Sequence, residues 1–318
     1  MSAFSTIGEF LEQTGTRFRV FDMGRRVEKI PRKEFARFEA GEAPYPYPLQ
    51  QHAWLGLLGW NPGEPEERFI WFIKLGLDET GRLSLAARDD FLRRVVAAAE
   101  EKARAREQGE EPGGAAGDAM EDNPHGFKPK EERMAAFHAK ALKSLGLPPS
   151  RFFEHAREYF TGKPGWDQWA FVGLQGIADF TARLDEDEHE ALLAKAIAHL
   201  PESPLQAVCH ALENSRFSLA LAEALAERLR AELRGGGRAD LVASLIRGLS
   251  NTRASGLRQQ LLGEALRSPL GSNVEVLAAI AGRSWADLRE PEVGQRFVEA
   301  LARSEGGQEA FNHVMAAL

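Results

Sequence analysis

Three groups of side chains in this 318-residue chain are of types that could do chemistry. The first recurs along the sequence: Asn214-Ser-Arg216, Asn251-Thr-Arg253 and the variant Gly282-Arg283-Ser284, followed by Trp285, occupy matching points of similar segments. Guanidinium groups make planar, charge-assisted contacts with carboxylate or phosphate. Arginines aligned on successive repeats would therefore grip an acidic peptide or a phosphate backbone, with Trp285 as an aromatic anchor. A plainer reading competes: Asn, Ser and Thr end one helix and cap the next, while each Arg covers a helix end or pairs with a neighbouring carboxylate. The binding candidates are Asn214, Arg216, Asn251, Arg253, Arg283 and Trp285.

The second group is His52, Asp89, Asp90, His125 and His138, imidazoles and carboxylates that would bind a metal or share a proton if folding gathered them. None of their spacings is that of a helical metal motif. The third is Cys209 beside His210, in an apolar helical run where a lone cysteine reads as a small buried hydrophobe. Gly235-Gly-Gly237 precedes Arg238 and Asp240 and is a link, not a phosphate loop. Nucleophile-elbow serines and paired-cysteine ligand sets are missing from the sequence. No catalytic residue, metal ligand or cofactor is assigned, and the reading leans away from an enzyme.

The elements that must position these groups fall into two styles. Near the start, Thr6 and Glu9 have capping-box spacing ahead of Ile7, Phe10 and Leu11. Arg17 to Asp22 alternates Phe18 and Val20 with polar residues, and Val27 and Ile30 resume the alternation after Gly24, which predicts a hairpin. The prolines among Ala43 to Pro48 exclude helix and central strand. Ala53 to Trp60 and Phe69 to Leu77 read as strands around a turn at Asn61, Pro62 and Gly63. Leu83 and Leu85 continue the sheet, and Asp89 or Asp90 caps a helix holding Phe91, Leu92, Val95 and Val96. Residues 1–107 are thus expected to form an α+β domain with a small antiparallel sheet of four or five strands.

From Gln108 to Glu121 the composition collapses to small, acidic and proline residues, so 108–126 is expected as an acidic disordered loop. Connecting helices follow over 127–163, at about Pro129 to Leu145 and Pro149 to Phe160. Beyond residue 164 the chain repeats: Ile177, Ala211, Gly248 and Ile280 align at spacings of 34, 37 and 32 residues, the length of a helical hairpin with its turns. Each is followed by a partner segment with apolar residues three and four apart. Gly176, Ala178, Ala211, Gly248 and Ala281 are small where paired helices must approach. Residues 164–318 are expected to be an all-α HEAT-like solenoid, with Trp166 and Trp169 sealing the junction of the domains.

Composition limits the partners. The formal charge is -7, and residues 164–318 hold 15 Lys and Arg against 21 Asp and Glu, so neither part is a basic nucleic-acid module in bulk. Yet 14 of those 15 cations are arginines, which keeps a local arginine line open. Neither a basic leader ahead of an apolar core nor a membrane-length apolar run is found, so the chain is expected in the cytoplasm, without a membrane partner.

Pro44-Tyr-Pro-Tyr-Pro-Leu-Gln-Gln-His-Ala-Trp54, Arg88-Asp-Asp-Phe-Leu92, Asn123-Pro-His-Gly-Phe127, Arg133-Met-Ala-Ala-Phe-His-Ala139 and Leu174-Gln-Gly-Ile-Ala-Asp179 resemble runs of a gammaproteobacterial domain-of-unknown-function family, numbered 3549. The resemblance covers nearly the whole chain. It implies a bacterial cytosolic protein and brings no activity. The expected function, taken from the repeats, is a non-enzymatic scaffold or adaptor that binds another protein through the helical surface. RNA or DNA binding by an arginine edge is the alternative, and an enzyme with a site in the N-terminal domain is the third.

Overall fold

Strands form where apolar side chains alternate. β1 (Arg17–Asp22), β2 (Glu28–Ile30), β3 (His52–Asn61) and β4 (Glu64–Gly76) make one antiparallel sheet in the order β2-β1-β3-β4. The computed structural model describes residues 4–107, 123–304 and 306–317. Register carries one row of side chains across the sheet, Ile30 beside Val20, Val20 beside Leu57 and Leu57 beside Trp71. All four are buried in the core that also holds Phe35, Phe38, Phe91 and Leu92. In the next row Gly59 faces Phe69, and a Cβ there would overlap the Phe69 ring, so this strand position needs glycine.

Three helices supply the cover: α1 (Ile7–Gln13), α2 (Arg32–Glu39) and α3 (Leu85–Glu107). The Thr6 side chain caps α1 as its spacing predicts, accepting the Glu9 N–H, while Glu9 turns to Ser5 instead of closing the box on Thr6. α2 was not anticipated. Its apolar stripe is only Phe35 and Phe38, three apart in a polar run, and tertiary burial of those rings decides it. The strand expected at Leu83 and Leu85 shrinks to a single bridge between Leu77 and Leu83. α3 starts at Leu85, and the Ser84 carbonyl accepts the Arg88 N–H at 3.1 Å, so Asp89 and Asp90 lie inside the helix and do not cap it. Residues 108–122 of the expected acidic loop lie outside the described residues. The last part of that segment joins the sheet: His125 O accepts from Lys74 N at 2.7 Å and Phe127 N donates to Phe72 O at 3.1 Å. The Phe127 ring, at the start of the segment expected as connecting helices, meets Trp54 and Phe72.

The chain divides into two units at Lys130 and Glu131. In the second unit the helices are α4 (Glu131–Ser144), α5 (Phe153–Phe160), α6 (Gly173–Ala182), α7 (His189–Ile197), α8 (Glu202–Leu212), α9 (Leu219–Arg234), α10 (Ala239–Leu249), α11 (Ser255–Arg267), α12 (Val274–Arg283), α13 (Pro291–Ala302) and α14 (Gly307–Ala317). Even-numbered helices pack on one another in sequence, and α5, α7, α9, α11 and α13 do the same in a second layer. This is the stack of hairpins the repeat predicts. α4 and α5 belong to it as the first pair, since α4 packs on α6 and α5 on α6 and α7. One core runs through it, from Phe153 and Phe180 through Leu205, Leu225 and Val242 to Ile280 and Phe297. Because no hairpin covers its own apolar flanks, each is stabilised by its neighbours.

The small residues act where predicted. A Cβ on Gly248 of α10 would lie 2.9 Å from Sγ and 3.0 Å from Cβ of Cys209 on α8, so these helices approach through a glycine. Gly176 admits the Phe152 carbonyl in the same way, at 2.5 Å from the position of a Cβ. Polar pairs then bridge successive repeats: Arg230 forks onto Glu264 at 2.9 and 3.1 Å, and Arg258 onto the buried Asp287 at 2.7 and 2.9 Å. Gly248→Ala is expected to lower the unfolding free energy of the full chain by about 1–3 kcal/mol, the usual cost of overpacking, as read by urea denaturation. An unchanged midpoint would show that α8 and α10 have slack.

Candidate functional site

The polar heart of the helical unit is Glu213, the residue that ends α8. Its side chain is 2% exposed, yet three guanidiniums reach it. Arg133 of α4 meets Oε1 at 3.1 Å, while Arg247 of α10 and Arg283 of α12 donate through Nε to Oε2 at 3.0 and 2.8 Å. A carboxylate at a helix C-terminus opposes the helix dipole, so without these partners the position would be unfavourable. Burial alone would raise the pKa of Glu213. The charges of Arg283, Arg247 and Arg133, with the Arg247 hydrogen bond, outweigh it and hold the carboxyl far below the usual carboxylate range.

The ion group also reports the packing of its layer. Neighbouring helix axes are normally about 8–10 Å apart, and α4 and α12 are each two places from α8 in the layer. α4 touches α8 directly, past α6, and Glu213 joins four helices of the layer.

One turn earlier on α8, His210 is held neutral. Burial, and then repulsion from Arg247, push its pKa down to about 4. Cys209 beside it is pushed up to about 12 by burial, so its thiol stays protonated and the two make no nucleophilic pair. Glu132 of α4 lies within electrostatic reach of both His210 and Arg247. Three arginines thus gather around two carboxylates, an arrangement that holds helices in place.

The candidates from the turn motif separate. Asn214 and Asn251 are buried, and Asn214 Nδ2 donates to the His210 carbonyl at 3.1 Å, a helix-ending contact. Arg283 turns inward to Glu213, and Trp285 is half-buried. Arg216 and Arg253 are exposed, and they flank a single backbone feature: Phe217 and Thr252 form a parallel bridge, with Arg253 N donating to Phe217 O at 3.1 Å. Two successive turns are thereby locked together, with an exposed guanidinium at each. Glu213, adjacent to Asn214, escaped the sequence reading because a single acidic residue at a helix end looks like an ordinary surface position. The signal was its spacing, 34 residues before Arg247, one full repeat.

The His and Asp constellation gathers only in part. His125 Nε2 lies 3.1 Å from Asp90 Oδ2, and Arg93 and Arg94 also bond that carboxylate. The Arg94 hydrogen bond, followed by that of His125, lowers the Asp90 pKa. Asp89 pairs with Arg88, and His52 Nδ1 is 2.6 Å from the Gln50 carbonyl. Among the described residues no three His, Cys, Asp or Glu side chains are grouped to hold a metal. Trp166 and Trp169, expected to seal a domain junction, lie within the helical unit, past the division at Lys130 and Glu131. Trp166 stacks on His199 at 5.5 Å and its carbonyl accepts from the Tyr159 hydroxyl at 2.8 Å, whereas Trp169 is exposed beside the exposed Phe171.

The family model for a protein of unknown function, DUF3549, matches residues 2–318. The chain belongs to that family. The resemblance in the short runs quoted above therefore extends over residues 2–318 of the chain, and the family has no assigned activity. No curated protein and no solved structure matches the chain. Among the described residues no helix of this DUF3549 member is long and apolar enough to cross a membrane.

Two outcomes follow for the ion group. Glu213→Gln leaves three buried or half-buried guanidiniums without their shared counter-ion and is expected to cost about 3–5 kcal/mol of unfolding free energy. A loss under 1 kcal/mol in urea denaturation would mean that the arginines find other partners. For acid the two groups act in the same direction. His210 titrates near 4 folded and about 6.5 unfolded, so the unfolded chain takes up a proton first and stability falls as pH drops through that window. His210 thus contributes a loss of about 2 kcal/mol between pH 7 and pH 5, read as the difference between the native chain and His210→Gln, a comparison that cancels the opposite gain from Glu39, whose pKa is raised to about 7 in the fold. Glu213, lowered in the fold, adds a further loss only below the unfolded carboxylate pKa near 4.5. Denaturation curves at pH 7, 5 and 4 separate the two.

Proposed function

We propose that this protein is a non-enzymatic scaffold of the bacterial cytoplasm whose helical unit binds another protein. The observation that carries the reading is the pair of exposed arginines, Arg216 and Arg253, set on adjacent turns that the Phe217 to Thr252 bridge holds together. Guanidiniums fixed on a rigid frame lose little entropy on pairing and suit carboxylates in a planar, two-point contact. An acidic segment of a partner fits them. Arg283, Asn214 and Asn251 serve this edge from beneath: the asparagines lie buried in its turns, and the ion group around Glu213 ties α8, α10 and α12 so that successive turns keep their spacing. Trp285, half-buried in the next turn, gives the same edge an aromatic neighbour.

Nucleic acid is the second reading, since the same guanidiniums would accept phosphates. The net charge of -7 weighs against it, because affinity for a phosphate backbone comes from many released counterions. The deciding experiment is capture of partners by the tagged full chain from its native cytosol, with and without nuclease. It is then repeated with Arg216→Glu combined with Arg253→Glu, both at exposed positions where folding should persist. The expected result is a nuclease-resistant set of proteins that the double variant loses at least ten-fold. Capture that the double variant leaves intact removes the proposal, and capture that nuclease abolishes transfers it to nucleic acid.

A further inference from the structure

Within the N-terminal unit a cavity of about 340 Å³ opens between α1 and α2. Its volume lies in the range of small-molecule sites. Glu39, the last residue of α2 and only 3% exposed, is among the lining residues. Gly8 N donates to Oε2 at 3.0 Å, and Oε1 stands 2.6 Å from the position of a Cβ on residue 8, so only glycine admits the carboxyl there. Phe18 and Phe35 form an aromatic wall, edge to face with centroids 6.2 Å apart. Glu9 and Glu12 on α1 and Arg32 on α2 complete the polar lining.

Arg32 indicates what this lining accepts. Its guanidinium lies over the Phe18 ring, 5.2 Å from the centroid, and pairs with Glu12. The protein's own cation thus rests on an aromatic face and a carboxylate, the two features that recognise organic cations. Arg32 and Glu12 are well exposed, at 62% and 54% of their side chains, so this internal pair is weak and can be displaced. Glu9, Glu12 and Glu39 face Arg32 and, beside Glu39, Arg88, so carboxylates outnumber guanidiniums around the cavity.

We infer that this cavity binds an organic cation, an ammonium or guanidinium on a short apolar stem, with Glu39 as counter-ion, the Phe18 and Phe35 wall against the stem, and Arg32 as internal competitor. The ligand is either a free amine or the end of a partner's basic side chain; the chemistry is the same. Protonation controls the site. Burial raises the Glu39 pKa to about 7, the Gly8 and Ile7 N–H groups and Arg88 oppose the rise, and Glu12 adds to it. The charged groups facing it are Arg88 from α3, Glu9 and Glu12 from α1, and Arg32 from α2, while β1 brings the uncharged Phe18. Below pH 7 the carboxyl carries a proton that a cation must first expel, so affinity falls as the pH falls.

The test is an NMR chemical-shift titration of the full chain with n-butylammonium, with butyrate as the anionic control and a capped lysine as the side-chain source. Butylammonium should shift the signals of Gly8 and Phe18 and butyrate should not. Its Kd should rise roughly ten-fold from pH 8 to pH 6, in proportion to the ionised fraction of Glu39. Glu39→Gln should weaken binding about ten-fold at pH 8 and remove the pH dependence. Because Glu39 also anchors α1, a second variant at the exposed rim decides independently: Arg32→Ala should tighten binding several-fold. Whichever of butylammonium and capped lysine binds more tightly supports the site and identifies the source. Equal shifts from butyrate, no shift from either cation, or unchanged affinity in Arg32→Ala would overturn the inference.

Discussion

A charge placed inside a protein must be met by opposite charge, and the helical half of this chain is organised around that requirement at Glu213. Its carboxylate has lost nearly all contact with water, and desolvation of that kind is tolerable only with close, hydrogen-bonded cations. They come from α4, α10 and α12. Apolar packing between hairpins is non-directional and tolerates some sliding and rotation. Three oriented guanidiniums on one carboxylate do not, so the ion group fixes the angular setting of repeats that the hydrophobic core merely holds together.

That fixing extends outward. Arg247 and Arg283 are tied to Glu213, and the turns just beyond α8 and α10 are joined by the Phe217 to Thr252 bridge. The exposed arginines on those turns therefore sit on backbone that is restrained from both sides. Side chains on restrained backbone make better binding groups than the same side chains on loose loops, because less freedom is lost on contact. The repeat-to-repeat pairs follow the same logic: Arg258 with Asp287 is buried almost as deeply as the Glu213 group, while Arg230 with Glu264 has more water around it and contributes less.

The N-terminal unit meets the same requirement differently. Asp22 is fully buried and is satisfied by the Tyr45 hydroxyl at 2.7 Å and by backbone N–H groups of Gly24 and Arg26. Glu39 is buried with backbone donors and no close guanidinium on its carboxyl, and its pKa rises where that of Glu213 falls. Two buried glutamates in one chain thus shift in opposite directions, set by whether guanidiniums bond the carboxylate closely. One acts as a fixed ionic joint, and the other can change protonation in the physiological range.

Sequence by itself determined the elements whose signals are local and periodic. The alternation of Phe18 and Val20, the strand pair around Asn61, and the hairpin repeat with its small residues at Gly176 and Gly248 are all legible because burial of one face imposes the period directly on the chain. α2 was hidden, since two rings three apart define no period until a sheet is present to cover them. Asp89 and Asp90 looked like caps because a cap is judged by residue type, whereas the helix start is fixed by where its backbone bonds begin. The arginine motif was visible as a pattern, but only the tertiary structure divided it, turning Arg283 inward and leaving Arg216 and Arg253 outside. Glu213 carried only its one-repeat spacing from Arg247, and Glu39 carried nothing: an acidic residue in sequence bears no mark of its burial, and whether it ends among arginines or beside a helix start depends on residues 31 to 80 positions away that only folding brings into contact.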